Sequence, residues 1–417
     1  MPAGMLSKPS DAPAGRSLGG GYNGVPLLLA VLSAVALLGL PWLSTAPNRL
    51  VSGESLWLLP LLHGAWALPA GGVLAVLFIM VGLTVPTPRR RRLLALLALT
   101  MSLAPGAVWL AGAQAGVAAQ TASSVARTSL GSGFWVLCGF QALLLAEVLR
   151  RLRATPAVRV LAGLTTAGLI SALLVTGACD DLSIMKEFAN RADVFWLALG
   201  RHAVIVAVSL GFTLAIGLPL GALGHERPAV HKVLMPVLNV LQTIPSIALF
   251  GLLMSPLAWL GAAVPVLQQV GVSGVGLVPA AVALTLYGLL PVVRGVLTGL
   301  AEVPAGVMQA ARSMGLSNRQ SLFWVALPLA LPVIMAGMRT AAVQLVGLAA
   351  VAALIGAGGL GAIMFEGLFS ASQDVVLLAV LPIVGMGVLV DGVFSGFGRM
   401  TRVARARFIV ESAERAV

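Results

Sequence analysis

Gly356-Ala357-Gly358-Gly359-Leu360-Gly361 has the G-x-G-x-x-G spacing, which in a βαβ unit lets backbone amides cradle the pyrophosphate of a dinucleotide. That chemistry needs a strand before the glycines and an acidic residue about 20 positions after them. Glycine accounts for 48 of the 417 residues, so the spacing alone is weak. Metal chemistry has less support: the four histidines (His63, His202, His225, His231) are scattered, and neither H-E-x-x-H nor C-x-x-C occurs. Two cysteines, Cys138 and Cys179, make no disulfide framework. No nucleophile, base and metal converge as a hydrolase would require, and no Walker A motif is present.

The segments that must position these residues are apolar. The chain is 59% hydrophobic and 10% charged, with a mean hydropathy of +1.01. A soluble domain carries about 25% charged residues, so this is an integral membrane protein. About ten stretches are long enough to span a bilayer, which takes roughly 20 residues each. They lie near 25–43, 66–85, 93–115, 131–149, 160–178, 202–223, 233–254, 277–297, 328–355 and 375–397. The run AAVAALI before the glycines is the tail of the stretch that starts near Pro328, so no Rossmann unit fits.

The net charge of +12 reports topology rather than a nucleic-acid partner. Arg89 to Arg92, Arg150, Arg151, Arg153, Arg159, Arg227, Lys232, Arg312, Arg319 and the basic tail from Arg399 fall on the side of Lys8 and Arg16. Asp180, Asp181, Glu187 and Asp193 fall on the other. By the positive-inside rule both termini are expected in the cytoplasm of a bacterium, with the chain multi-pass in its inner membrane.

Four regions are expected: a disordered cytoplasmic tail (1–24), a membrane extension of about five helices (25–190), a second membrane core (191–398) and a basic tail (399–417). Ser44-Thr45-Ala46 looks like a signal-peptide cleavage site, but the apolar run before it, about 19 residues, exceeds the usual 7–15, so a retained helix is expected. Gln114, Gln141 and Glu147 are read as lying near span ends. Residues 179–201 suit a short amphipathic helix on the outer surface, with Phe188, Phe195 and Trp196 at headgroup depth.

Within the core, Asn239, Gln242, Thr243 and Ser246 recur three or four apart on one expected helix face, and Pro245 beside them invites a kink. They either line a translocation path or pack helices together by hydrogen bonds. Arg339 is read as the one basic residue inside an apolar stretch, snorkelling to headgroups. Gln344 is the better lining candidate, and Tyr287 offers either a cation–π face or a packed core ring.

The loop at 302–328 is the most informative segment. Pro304 suits a first helical turn, Gly315 a left-handed stop, and Ser317 with Gln320 a capping box. A second short helix should then run until Pro328 and Pro332 bend the chain into the next span. This helix–turn–helix resembles the EAA motif of ABC-importer permeases, E-A-A-x3-G-x9-I-x-L-P. Gln309-Ala310-Ala311, Gly315 and Val325-Ala326-Leu327-Pro328 hold its spacing, with Gln309 for the glutamate and Val325 for the isoleucine. LNVLQTIPSIALFGLL (238–253), LYGLLPVVRGVLTGL (286–300) and LIGAGGLGAIMFEGL (354–368) are similar to osmoprotectant permeases, which import glycine betaine, choline or related amines.

The resemblance implies an all-α polytopic protein with a type I ABC-importer core in its C-terminal half. It implies that the loop docks on a cytoplasmic ATPase, through Gln309, Ala310, Ala311, Gly315, Leu327 and Pro328. Gly356, Gly358, Gly359 and Gly361 would break a spanning helix at its outer end. The expected partners are that ATPase, a second permease (a copy or a paralogue), an extracytoplasmic solute-binding protein and the bilayer; ATP would sit on the ATPase, and no cofactor on this chain. Methionine and phosphonate permeases share the glycine cluster and are the nearest alternative. A self-sufficient secondary transporter would need inverted repeats and intramembrane carboxylates, and here no repeat is visible while Glu147 and Asp391 lie near cytoplasmic ends.

Overall fold

The computed structural model describes residues 24–48, 51, 53–63, 66–84, 90–121, 126–269 and 271–414, with the side chains of 121 and 399–414 left aside. The expected tail before residue 24, the cytoplasmic marks Lys8, Arg16 and Arg89, and Arg415 lie outside them. Helix dominates. Among the described residues nine helices are long and apolar enough to cross a membrane, and Gly24–Gly39 and Leu360–Phe369 are shorter apolar helices. The chain forms two compact units, Met1–Leu182 and Ser183–Val417.

The first unit holds α1 (Gly24–Gly39), α2 (Ala67–Thr84), α3 (Arg90–Thr121), α4 (Ser132–Arg151) and α5 (Pro156–Val175). It also holds a small antiparallel sheet of order β2-β1-β3: β1 (Leu43–Ala46), β2 (Glu54–Leu56) and β3 (Arg127–Leu130). The residues resembling a cleavage site thus lie in β1. Trp42, fully buried, packs edge-on against Phe134 at 5.5 Å, and its indole N–H donates to Gln114 Oε1 at 3.0 Å. Gln141 is not near a span end: it sits in the middle of α4, where its amide donates to Ser33 Oγ of α1 at 3.1 Å. A buried amide at that depth needs a protein partner, because lipid supplies none. Glu147, at the end of α4, pairs with Arg150 and Arg151.

In the second unit α6 (Ser183–Asn190) leads into α7 (Ala192–Glu226). Phe188, Phe195 and Trp196 form an edge-to-face cluster there. Arg191, at the N-cap of α7, pairs with the buried Glu187 at 3.0 Å and with Glu366 at 2.7 Å. The stretch 233–254, expected as one span, is two helices, α8 (Pro228–Thr243) and α9 (Ser246–Ala263). The reason is Pro245: it disfavours helical φ/ψ at the residue before it, and Ile244 is extended at φ −70°, ψ 128°.

After α10 (Pro265–Gln269) comes α11 (Leu277–Ala301), the hub of this unit, packed on α7 and α14 (Leu327–Val351). Of its apolar stretch 72% is buried, against 6% for α5. Small residues make this possible: a Cβ on Gly295 would stand 3.0 Å from the Cα of Gly337 on α14, and one on Gly221 would stand 2.6 Å from Val296. Between α11 and α14 lie α12 (Ala305–Ser313) and α13 (Asn318–Gln320). After α14 and a 3-10 turn come α15 (Leu360–Phe369) and α16 (Gln373–Glu414), which carries the backbone of the basic tail as helix to Glu414.

Candidate functional site

The loop between α11 and α14 is built from local signals. Pro304 is the N-cap of α12 rather than its first residue. Gly315 ends the helix at φ +83°, and the amides of Gly315 and Leu316 donate to the carbonyls of Arg312 (2.9 Å) and Ala311 (3.2 Å). This pair of bonds is the Schellman arrangement, which satisfies carbonyls that the helix leaves free. Ser317 and Gln320 form the capping box in full: Gln320 N–H donates to Ser317 Oγ at 3.3 Å, and Ser317 N–H to Gln320 Oε1 at 2.9 Å. Helical structure is not interrupted at Pro328. A π-helical stretch, Ser321–Ala326, joins α13 to α14, and Leu327 N–H donates to the Leu322 carbonyl. Its wider turn takes Pro328 into the first turn of α14, where a missing N–H costs nothing further.

The loop sorts its residues into two faces. Ala311 is buried, and Leu327 packs on a cluster with Ala326, Ala330 and Ile334, so neither presents its side chain outward. Gln309, Ala310, Gly315 and Pro328 are exposed. Val307 and Met314, which the motif does not mark, are exposed too, and with Ala310 they repeat at i, i+3 and i+7 along one face of α12. That spacing was present in the sequence.

A second feature is a cavity of about 420 Å³ between α8, α11 and α14, lined by Gln242, Arg294, Thr298, Thr340 and Gln344 among others. It brings together two of the residues expected on a path, Gln242 and Gln344, and leaves out the rest. Ser246 lies beyond the break, on α9, so the four-residue polar stripe does not exist as one face. The Thr243 hydroxyl donates to its own helix, at the Val240 carbonyl, 2.7 Å. Asn239 borders the cavity only through Arg294, whose Nη2 donates to Asn239 Oδ1 at 3.0 Å. Tyr287 is a core ring, not a lining one: it is buried, and its hydroxyl donates to the Ile244 carbonyl while its own carbonyl accepts from Gln242 Nε2 at 2.6 Å.

The charges also differ from expectation. Arg339 does not stand alone, since its Nε donates to Asp391 Oδ1 of α16 at 2.5 Å. Arg294 also lies inside an apolar helix, because α11 runs on to Ala301, as Arg201 lies inside α7. Averaging over an apolar window hides a single arginine seven residues from a helix end.

The glycine cluster closes the far end of α14. Gly356, Gly358 and Gly359 take φ of +77°, +77° and +78°, so the 3-10 turn Ala352–Ile355 stops and α15 starts at Leu360. A Cβ on Gly361 would stand 1.9 Å from the Ala350 carbonyl oxygen. Gly356, Gly358 and Gly359 make the turn, Gly361 lies inside α15, and no phosphate cradle follows a strand here.

Comparison with known proteins gives family matches over both halves of the chain. Residues 201–403 match the family model "Binding-protein-dependent transport system inner membrane component", and residues 22–185 match "ABC transporter permease YehY, N-terminal domain". The osmoprotectant import permease protein OsmW of Salmonella typhimurium is 38% identical over 191 residues, 46% of this chain and 84% of that protein. The carnitine transport permease protein OpuCB of Listeria monocytogenes is 35% identical over 209 residues, 50% of this chain and 88% of that protein. A solved structure, "Inward facing conformations of the MetNI methionine ABC transporter", aligns with 51% of this chain and 98% of its own at 25% identity and a TM-score of 0.44. The family is that of the inner-membrane components of binding-protein-dependent transport systems, transport subunits rather than enzymes. The chain belongs to the osmoprotectant permease family of binding-protein-dependent ABC importers.

Proposed function

We propose that the chain moves glycine betaine, choline or a related quaternary amine from a binding protein to the cytoplasm, driven by ATP hydrolysis on a partner subunit. The observation that carries this reading is that α14 bears both devices: the coupling loop enters its first turn, and Thr340 and Gln344 of the cavity lie three to four turns further along. A push on the loop therefore acts on a wall of the cavity through one helix. Support for the substrate comes from the relatives, named for osmoprotectants and carnitine, aligned with 46% and 50% of this chain.

The exposed face Val307–Ala310–Met314, with Gln309, docks on the ATPase, and Gly315 and Ser317 set the angle of that face. Gln309 is uncharged, so no ion pair to the ATPase forms at that position. Two permeases, copies or paralogues, enclose the path, and both termini are cytoplasmic. The first unit anchors the protein and takes no part in coupling. The test is uptake into vesicles holding the permease, its ATPase and its binding protein. ATP-dependent uptake of betaine or choline is expected; uptake of methionine and of neither amine transfers the protein to the methionine permeases.

A further inference from the structure

The cavity between α8, α11 and α14 contains one full charge, Arg294, and no carboxylate among its lining residues. The other arginines set among these helices are answered differently: Arg339 by Asp391, Arg191 by Glu187 and Glu366, and Arg201 by the Ala357 carbonyl. Among the described residues Arg294 has only the neutral Asn239, at one of its five N–H donors. A cation at membrane depth with no counter-charge is unfavourable unless water or an anion reaches it, and such residues mark solute pathways. At about 420 Å³ the cavity admits a small solute, at the low end of the range for ligand pockets.

Resting on the importer reading above, we infer that Arg294 is a specificity-determining residue that receives the carboxylate of a zwitterionic quaternary amine, so that the path favours betaines over carboxylate-free choline. The guanidinium fork matches a carboxylate in two parallel hydrogen bonds, a geometry that an ammonium lacks. Asn239 holds one edge of the fork and thereby orients the rest toward the cavity. The quaternary ammonium end has no hydrogen to donate and is repelled by Arg294, so it points the other way, toward neutral Gln242 and Gln344. Choline brings only the repelled end and a hydroxyl. The uncharged remainder of the lining keeps the site shallow enough for release, as a path requires.

The test uses the complete importer in vesicles, with the binding protein saturated, so that maximal rates report the permease. Glycine betaine and choline are supplied in parallel. Arg294→Gln should lower the maximal rate for betaine at least tenfold and leave that for choline within twofold. Arg294→Lys, which keeps the charge and loses the fork, should lower betaine uptake by threefold or more, again with choline spared. Recovery of the ATPase on the purified permease reports assembly of each variant, and if Arg294→Gln does not assemble, Arg294→Lys carries the test. An equal fall for both substrates, or no change in either, overturns the inference and leaves a structural arginine. So does a wild-type importer that moves choline and not betaine. A wild-type importer that moves neither amine removes the osmoprotectant reading on which the inference rests.

Discussion

The hydroxyl of Tyr287 donates to the carbonyl of Ile244, the residue at which the chain breaks between α8 and α9. Pro245 has no N–H, and Ile244 is extended, so this carbonyl is outside any helix ladder. Tyr287 supplies the donor that lipid cannot. Tyr287→Phe keeps the ring and strands the carbonyl, at a cost of about 1–3 kcal/mol. A thermal melt of the purified variant should show the loss, and an unchanged melt would mean that water satisfies the break.

Gly315 gives the sharpest test of the coupling loop. Nothing lies within 4 Å of a Cβ built there, so the cost of Gly315→Val is backbone strain at φ +83°, about 1–2 kcal/mol. The strain is relieved by re-aiming α13, so ATPase recovery and uptake should fall together while membrane insertion stays normal. Gly315→Asn, which tolerates the left-handed region, should keep most of both. Gln309→Ala should weaken coupling only modestly. Normal ATPase recovery with Gly315→Val would reduce the loop to a connector.

Topology is best read by cysteine labelling at residues 90 and 189. Glu187 is a poor probe because it is buried against Arg191, whereas Ala189 and Arg90 are exposed. A cysteine at 189 should label from outside intact cells and one at 90 only after permeabilisation. The native Cys179 should stay silent at pH 7: burial, and then the charge of Asp180, push its thiol above the ordinary range, so the reactive thiolate is scarce at neutral pH and grows only as pH rises. Both probes labelling from one side would overturn the orientation.

A chain beginning at Ser183 should retain the ATPase. This start keeps α6, which packs on α16 and α7 and supplies Glu187 to the Arg191 cluster. Co-purification checks it, and a well-inserted truncation that loses the ATPase would place docking in the first unit.

What could be read from the sequence was what is decided within a few residues. Ser317 and Gln320 cap α13 because the bonds span three positions, and Gly315 stops α12 because only its own φ is at stake. Hydropathy found the long helices but ran across Pro245, since apolar residues continue on both sides of the break. The strands of three or four residues carry too little pattern to announce themselves, and one of their two pairings joins distant segments, as Leu43 with Leu130. Ala310 and Ala311 are the same residue type, yet one is exposed and the other buried, a distinction made only by the packing of the loop. Arg294 became visible as a site only once α8 and α14 stood beside it.

The contrast between α5 and α11 bears on how freely this protein can drift. Both are largely apolar, but 6% of one and 72% of the other is buried within the chain. On α5 almost any exchange among leucine, valine, isoleucine and alanine leaves the same greasy surface, so substitutions there are expected to accumulate silently. On α11 the constraint is one of shape: at Gly295 even an alanine methyl would press on the backbone of α14 at 3.0 Å. A saturation library of the two helices would therefore return opposite spectra, with α5 tolerating size and rejecting charge, and α11 rejecting size itself.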